Sequence, residues 1–198
     1  SARNIGMRVT AQIDRPGIGR LGLLQALIAQ FDIAKLAPGI SVALLFVNPD
    51  DFSGINERFG REAGDRVVQD IGDRLRSSLR SSDPLGRFGG VIFGAILADT
   101  DVDTAKLVAQ KMLEKLSEAA FLDGAVRLGF SIGLAVADSG DASSFDPVQL
   151  IRRSDQALNG AKRSGGGLIV AWGEDSETVE EENFDRLSGI FTGNMGKD

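Results

Sequence analysis

The 198-residue sequence contains neither cysteine nor histidine. Without cysteine the chain has no disulfide framework and no thiolate zinc site. Without histidine it lacks the commonest general base and the favoured ligand of transition metals. Any catalysis by this chain would therefore have to use carboxylates, lysine, hydroxyl groups or bound magnesium.

The chain also lacks an excess of positive charge and any long apolar run. Its formal net charge is −6, whereas a nucleic-acid-binding protein normally carries a basic surface. No apolar stretch approaches the roughly 18 residues of a membrane span, and no signal peptide is visible. We therefore expect a cytoplasmic domain with no nucleic-acid partner and no membrane contact from this segment.

Hydrophobic residues make up 42% of the chain and charged residues 25%, which is typical of a folded domain. Hydrophobic periodicity predicts helices that alternate with short apolar strands. The helices are predicted from Leu21 to before Pro38 and at 62–79, 103–119 and 147–164, and the strands at 41–47, 87–88, 91–97, 126–136 and 168–172. This alternation predicts a mixed α/β (α+β) domain with a central sheet. The hairpin around Gly89-Gly90 makes at least one strand pair antiparallel.

The chain divides into three predicted regions. Residues 1–38 form an N-terminal segment with the first helix, and residues 39–173 form the core. Residues 174–198 form a tail, whose acidic part at 174–182 is typical of a linker or the start of a further helix.

Five short motifs follow one another in an order and spacing that resemble the GGDEF domains of bacterial diguanylate cyclases. They are FVNPDDFSGIN (46–56), REAGDRVVQDIGDRLR (61–76), GRFGGVIFGAIL (86–97), FSIGLAVA (130–137) and RRSDQALNGAKRSGGG (152–167). The resemblance covers Gly39 to Trp172. It implies a mixed five-stranded sheet surrounded by helices, similar to nucleotidyl cyclases and polymerase palm domains.

The resemblance also indicates which catalytic residues have changed. Such cyclases hold two magnesium ions with acidic side chains, because magnesium prefers hard oxygen ligands. At the corresponding positions this chain has Asn48, Val91 and Ile92. Asp50 is left as a vestigial acid, and a single exposed aspartate is more often a turn residue or an N-cap. We therefore expect no functional magnesium site, no cofactor and no cyclase activity.

The phosphate and guanine positions are partly retained. The family's phosphate-contacting lysine and arginine correspond to Ser53 and Gly166, so that Lys162 alone remains of the cationic set. Asn56 and Asp65 match the guanine-contacting pair, and with Lys162 they make up a vestigial nucleotide site. The alternative is structural: Asn56 caps a loop and Asp65 opens a helix.

A sharper candidate for binding is the RxxD motif formed by Arg80 and Asp83, six residues before the signature glycines. Its position matches the family's inhibitory site, which binds the product cyclic di-GMP. Arginine presents a planar fork that binds phosphate in a bidentate manner and stacks on a guanine. Lys111 corresponds to a further basic residue of that site and would add a phosphate contact.

The RxxD pattern alone is a weak signal, because a second copy occurs at Arg152–Asp155 and receives no such role. Arg80 and Asp83 also have a structural interpretation. Arginine at a helix C-terminus favours the helix dipole, and aspartate before Pro84 is a common turn residue.

The leading hypothesis from the sequence is a catalytically inactive GGDEF domain that acts as a cyclic di-GMP receptor in bacterial signalling. Its partners would be the dinucleotide and a second copy, another signalling protein or another domain. Two alternatives stay open. One is a nucleotide-free protein-interaction scaffold. The other is a GTP-binding regulatory domain of a larger signalling protein, for example one that contains a phosphodiesterase.

Overall fold

Ten helices and strands lie within residues 18–173, the part of the chain that this computed structural model describes. They are α1 (Arg20–Ala34), β1 (Ser41–Pro49), α2 (Ser53–Phe59), α3 (Arg61–Ser78), β2 (Leu85–Gly89), β3 (Ile92–Ala98), α4 (Val102–Ser117), β4 (Phe130–Asp138), α5 (Pro147–Arg163) and β5 (Ile169–Ala171). The tail predicted at 174–198 and the first 17 residues of the N-terminal region lie outside the described residues.

The five strands form a single mixed sheet in the order β2-β3-β1-β4-β5. β1 is central and pairs antiparallel with β3 and with β4. β2 pairs antiparallel with β3, whereas β5 runs parallel to β4. The predicted fold class, a central mixed five-stranded sheet surrounded by helices, is confirmed.

Helices cover both faces of this sheet. α1 and α5 pack on one face with side chains such as Leu44 and Phe46, and α3 and α4 pack on the other face with Leu45 and Val47. Both faces of β1 are therefore buried, which explains its uninterrupted apolar run. The end of β1 carries the first of the candidate catalytic positions to the edge of this core.

The contact between α5 and β4 is unusually close at Gly133. A Cβ atom at this position would lie 2.1 Å from the backbone nitrogen of Leu158 and 2.6 Å from the carbonyl oxygen of Ser154. The buried Ser154 hydroxyl also donates to the carbonyl oxygen of Leu44, at 3.0 Å. The backbone of α5 therefore contacts the sheet directly. This contact sets the position of α5, and with it the position of Lys162 near the end of β1.

The two largest differences from the sequence prediction concern α2 and β4. α2 was not predicted, because it has seven residues and only Ile55 is buried, too few to give a periodic pattern. β4 begins at Phe130 rather than at residue 126, because Phe121 and Val126 pair with each other in a separate bridge. No helix within residues 18–173 is long and apolar enough to cross a membrane.

Candidate functional site

The signature hairpin joins β2 to β3 through a tight turn in which Gly90 has a φ of +54°. The two side chains at the positions of the family's acids are half-buried. Val91 packs against the cluster on the α3–α4 side of the sheet, and Ile92 packs against the cluster on the α1–α5 side. Both residues therefore contribute to packing at the rim of the core.

Asn48 lies at the end of β1, beside this turn. Its amide Nδ2 donates a hydrogen bond of 3.1 Å to the main-chain carbonyl of Val91. A carboxylate could not donate this bond, since ionised aspartate is only an acceptor. The amide therefore ties the end of the central strand to the signature turn.

Asp50 follows β1 and is surrounded by donors. Its Oδ1 accepts from Lys162 Nζ at 2.7 Å and from the Ser131 hydroxyl at 2.9 Å. Its Oδ2 accepts from the backbone N–H of Gly167 at 2.9 Å. Both carboxylate oxygens are thus engaged by groups of the protein itself.

Lys162 has two further acceptors at the end of β1. Its ammonium donates to the carbonyl oxygen of Pro49 at 2.9 Å and to that of Asn48 at 3.3 Å. An ammonium group has three donors. Lys162, which the resemblance assigns to phosphate binding, therefore donates its hydrogen bonds to groups of the protein itself.

The loop after α5 approaches Asp50 at Gly166. This glycine has a φ of +77°, and a Cβ there would lie 2.8 Å from the Asp50 carboxyl carbon. An arginine, which the resemblance would place here, would carry both backbone strain and a steric clash. The loop conformation around Asp50 is therefore incompatible with the arginine of the family pattern.

Asn56 and Asp65 lie on the neighbouring helices α2 and α3, and both are exposed. The Asn56 side chain lies against the α3 backbone at Gly64, where a Cβ would come within 1.9 Å of its Oδ1. Because Asp65 is the next residue along α3, the structure brings the predicted guanine-contacting pair to the same part of the surface.

The RxxD motif lies in the loop between α3 and β2. Asp83 Oδ2 accepts from the backbone N–H of Arg80 at 2.9 Å, and the Arg80 guanidinium approaches the same carboxylate at 3.4 to 3.5 Å. The Arg80 side chain is 69% exposed, whereas the Asp83 side chain is 6% exposed. Arg80 therefore lies on an exposed edge, whereas Asp83 turns inward to bond the loop backbone.

Lys111 is exposed on α4. Among the hydrogen bonds and ion pairs of residues 18–173, none joins Lys111 to Arg80 or Asp83. The structure thus brings Arg80 and Asp83 together and places Lys111 as an exposed charge on α4.

Comparison with known protein families identifies the family of this chain. The family described as "Diguanylate cyclase, GGDEF domain" matches residues 19–167. The chain belongs to the GGDEF domain family. The matched region includes α1, so it begins before Gly39, where the sequence motifs first suggested the resemblance.

The relatives of this GGDEF domain include cyclases. The probable diguanylate cyclase DgcE of Escherichia coli (strain K12) is 29% identical over 142 residues, which are 71% of this chain and 13% of that protein. The chain spans 13%, 16% and 39% of the lengths of three such curated relatives. It therefore corresponds to one part of each of these proteins.

Solved structures agree with this assignment. The active GGEEF domain of a diguanylate cyclase from Vibrio cholerae is 29% identical with a TM-score of 0.71, and the match covers 79% of this chain and 97% of that one. The GGDEF domain of DgcB from Caulobacter crescentus, solved with cyclic di-GMP, has a TM-score of 0.71 at 20% identity, with 81% and 95% coverage. The second likeness concerns the fold alone. The domain is thus related to diguanylate cyclases.

The residues of this GGDEF domain do not fit the magnesium ions of a cyclase. In residues 18–173 no three acidic side chains are grouped so that they could hold a metal ion. Asn48 points its donor at a carbonyl, and the oxygens of Asp50 already accept from Lys162, Ser131 and Gly167. Magnesium requires several free oxygen ligands in octahedral geometry, and these residues do not offer them.

Asp50 should make stability depend on pH. Burial alone would raise the pKa of its carboxyl, but hydrogen bonds from Lys162, Ser131 and Gly167 and the charge of Lys162 lower the pKa below its ordinary value. The ionised carboxylate therefore stabilises the fold above the unfolded-state pKa, roughly 3.9. This contribution is lost as the pH falls through the lower folded-state pKa.

We accordingly expect the wild type to lose stability more steeply than Asp50→Asn below about pH 4. Urea unfolding of both proteins between neutral and acidic pH measures this difference. The gap in unfolding free energy should be widest near neutral pH and should narrow with acidification. A gap that does not change with pH would contradict the role given to the carboxylate.

One residue near the RxxD motif was missed by the sequence analysis. Arg76, in the last turn of α3, donates from Nη1 to the carbonyl of Asp83 at 2.7 Å and from Nη2 to the carbonyl of Arg80. Basic residues commonly bond free carbonyls at a helix C-terminus. The only available signal was the spacing of four residues between Arg76 and Arg80, which does not indicate these acceptors.

Proposed function

We propose that this GGDEF domain is catalytically inactive and is a receptor for cyclic di-GMP, which binds at Arg80 and Asp83 with a phosphate contact from Lys111. The observation that carries the proposal is the contrast within the motif. Arg80 presents an exposed guanidinium, while the buried Asp83 carboxylate holds the backbone beneath it. A fixed backbone under an exposed cation is a suitable arrangement for binding an anionic ligand.

The chemistry of the ligand suits Arg80. Cyclic di-GMP carries two phosphates and two guanines, and a guanidinium can bond a phosphate with two parallel N–H groups or stack on a base. The side-chain contacts of Arg80 to Asp83, at 3.4 to 3.5 Å, are long, so the guanidinium can turn to a ligand at small cost. The shorter bond from the Arg80 backbone to Asp83 stays in place during that movement.

Inactivity is supported by the contacts at the family's metal positions. Asn48 and Val91 are joined by a hydrogen bond, and Asp50 is paired with Lys162. The same pairing argues against the GTP-binding alternative. Asn56 and Asp65 remain exposed for a base, but a triphosphate would meet no free cation at Lys162. Only a measurement of cyclic di-GMP binding distinguishes the scaffold alternative from the receptor function.

Calorimetric titration with cyclic di-GMP tests the proposal on the wild type and on Arg80→Ala. Because charge-assisted hydrogen bonds are worth about 1.5 to 3 kcal/mol each, we expect Arg80→Ala to weaken binding about 100-fold or more. The matched control is Arg152→Ala, since Arg152 is exposed and belongs to the second RxxD pattern. This control should bind like the wild type.

Two results would contradict the proposed receptor function. One is a wild type that gives no binding heat, which favours the nucleotide-free scaffold. The other is equal affinity in the wild type and Arg80→Ala, which places the ligand elsewhere. Light scattering with and without the dinucleotide would also show whether a second copy is recruited.

A further inference from the structure

The loop that carries the RxxD motif is fixed by contacts at both of its ends. It leaves α3 after Ser78 and enters β2 at Leu85. Within it, the backbone N–H of Asp83 donates to the carbonyl of Arg80 at 3.0 Å, which closes a tight turn. This turn follows directly after the C-terminal end of α3.

The Arg76 guanidinium bridges the carbonyls of Arg80 and Asp83. Nη1 donates to Asp83 and Nη2 donates to Arg80. Two donors in one rigid plane thus hold the first and last residues of the motif at a fixed separation. Arg76 is half-buried and belongs to α3, and α3 packs on the sheet. The two bonds from Arg76 therefore attach the loop to the core of the domain.

We propose that Arg76 is a positioning residue of the cyclic di-GMP site. It keeps the loop in the conformation that presents the Arg80 side chain to solvent and directs the Asp83 carboxylate inward. This inference rests on the proposed function, because it concerns the same site. Lysine cannot replace it, since a single ammonium on a flexible stem does not reproduce the planar fork.

A positioning role has a kinetic signature that a ligand contact lacks. If the loop populates its competent conformation only part of the time, the apparent affinity falls by that fraction. The loss then appears in the association rate, because only competent molecules bind, and the complex once formed dissociates at its usual rate. Removal of a direct contact, as in Arg80→Ala, instead speeds dissociation.

The experiment measures association and dissociation of cyclic di-GMP by stopped flow for the wild type, Arg76→Ala and Arg76→Lys. Both variants should associate about tenfold more slowly, with dissociation within about twofold of the wild type. The matched control is Arg66→Ala, which removes an exposed arginine from the same helix and should leave both rates unchanged. Thermal unfolding confirms that every variant is folded at the working temperature.

Amide hydrogen exchange of the ligand-free protein gives an independent readout. Exchange of the Asp83 N–H should quicken in Arg76→Ala and Arg76→Lys, and should stay unchanged in Arg66→Ala. If Arg76→Ala does not fold, Arg76→Lys, which keeps the charge and the stem, decides the question.

The outcomes separate the inference from the function on which it rests. Association at the wild-type rate in Arg76→Ala would overturn the positioning role while the receptor stands. A wild-type rate in Arg76→Lys alone would also overturn it, because charge attraction rather than the fork would then be responsible. No binding by the wild type would overturn the proposed function, and with it any positioning of that ligand by Arg76.

Discussion

With GTP and magnesium, this GGDEF domain is expected to form no cyclic di-GMP above a control without enzyme. Phosphoryl transfer depends almost wholly on metal ions and cations that stabilise the charge on the transferring group. Here Asn48, Val91 and Ile92 offer no carboxylate, and Lys162 is bonded to Asp50 and to two backbone carbonyls. Because each lost stabilising group costs on the order of 10² to 10³ in rate, the combined loss should reach about 10⁴-fold or more.

Mass spectrometry of the reaction mixture measures this. The active GGEEF domain from Vibrio cholerae, assayed in parallel, provides the positive control. Asp50→Ala serves as a second control, because any trace product from a contaminating cyclase would survive this substitution. Product formed by the wild type and lost in Asp50→Ala would refute the proposed inactivity and would make Asp50 a metal ligand.

Gly133→Ala should unfold or severely destabilise the domain. The added Cβ would lie 2.1 Å from the Leu158 backbone nitrogen and 2.5 Å from its Cα. Backbone atoms cannot turn away as a side chain can, so α5 would have to move off β4. We expect a loss of about 3 kcal/mol in the free energy of unfolding, at the upper end of the usual cost of overpacking.

Urea denaturation monitored by circular dichroism measures the loss. The matched control is Gly160→Ala on α5 itself, where a Cβ meets nothing within 4 Å. That substitution should stabilise the helix by about 0.5 to 1 kcal/mol, because alanine has the higher helix propensity. A loss under about 1 kcal/mol for Gly133→Ala would mean that α5 shifts freely on the sheet.

The fold was predictable because its signals are local. The apolar run of β1 predicts a strand buried on both faces, and the family motifs supply the order of the elements. The Asp101 carboxylate caps the N-terminus of α4 by accepting from the Thr104 N–H at 2.8 Å, and aspartate is a favoured residue at that position. The short α2 escaped prediction, since one buried residue gives no period.

The sequence named the candidate site residues but did not show which of them bond to one another. Sequence position places Asp50 and Lys162 in separate motifs, yet their side chains meet at 2.7 Å across 112 positions. The bond from Asn48 to the Val91 carbonyl likewise crosses 43 positions. A sequence pattern names the residue types available for binding, whereas only the packed chain shows which of them are already paired.

The Asn48–Val91 hydrogen bond and the Asp50–Lys162 ion pair have a consequence for the stability of the domain without a metal ion. Carboxylates that are clustered to bind a metal ion repel one another when no ion is bound. This repulsion lowers the stability of the fold, as active sites often do. Here the corresponding region has an amide bonded to a carbonyl and a carboxylate bonded to an ammonium. The region therefore carries no electrostatic conflict that a bound cation must relieve, and its stability should be indifferent to chelators.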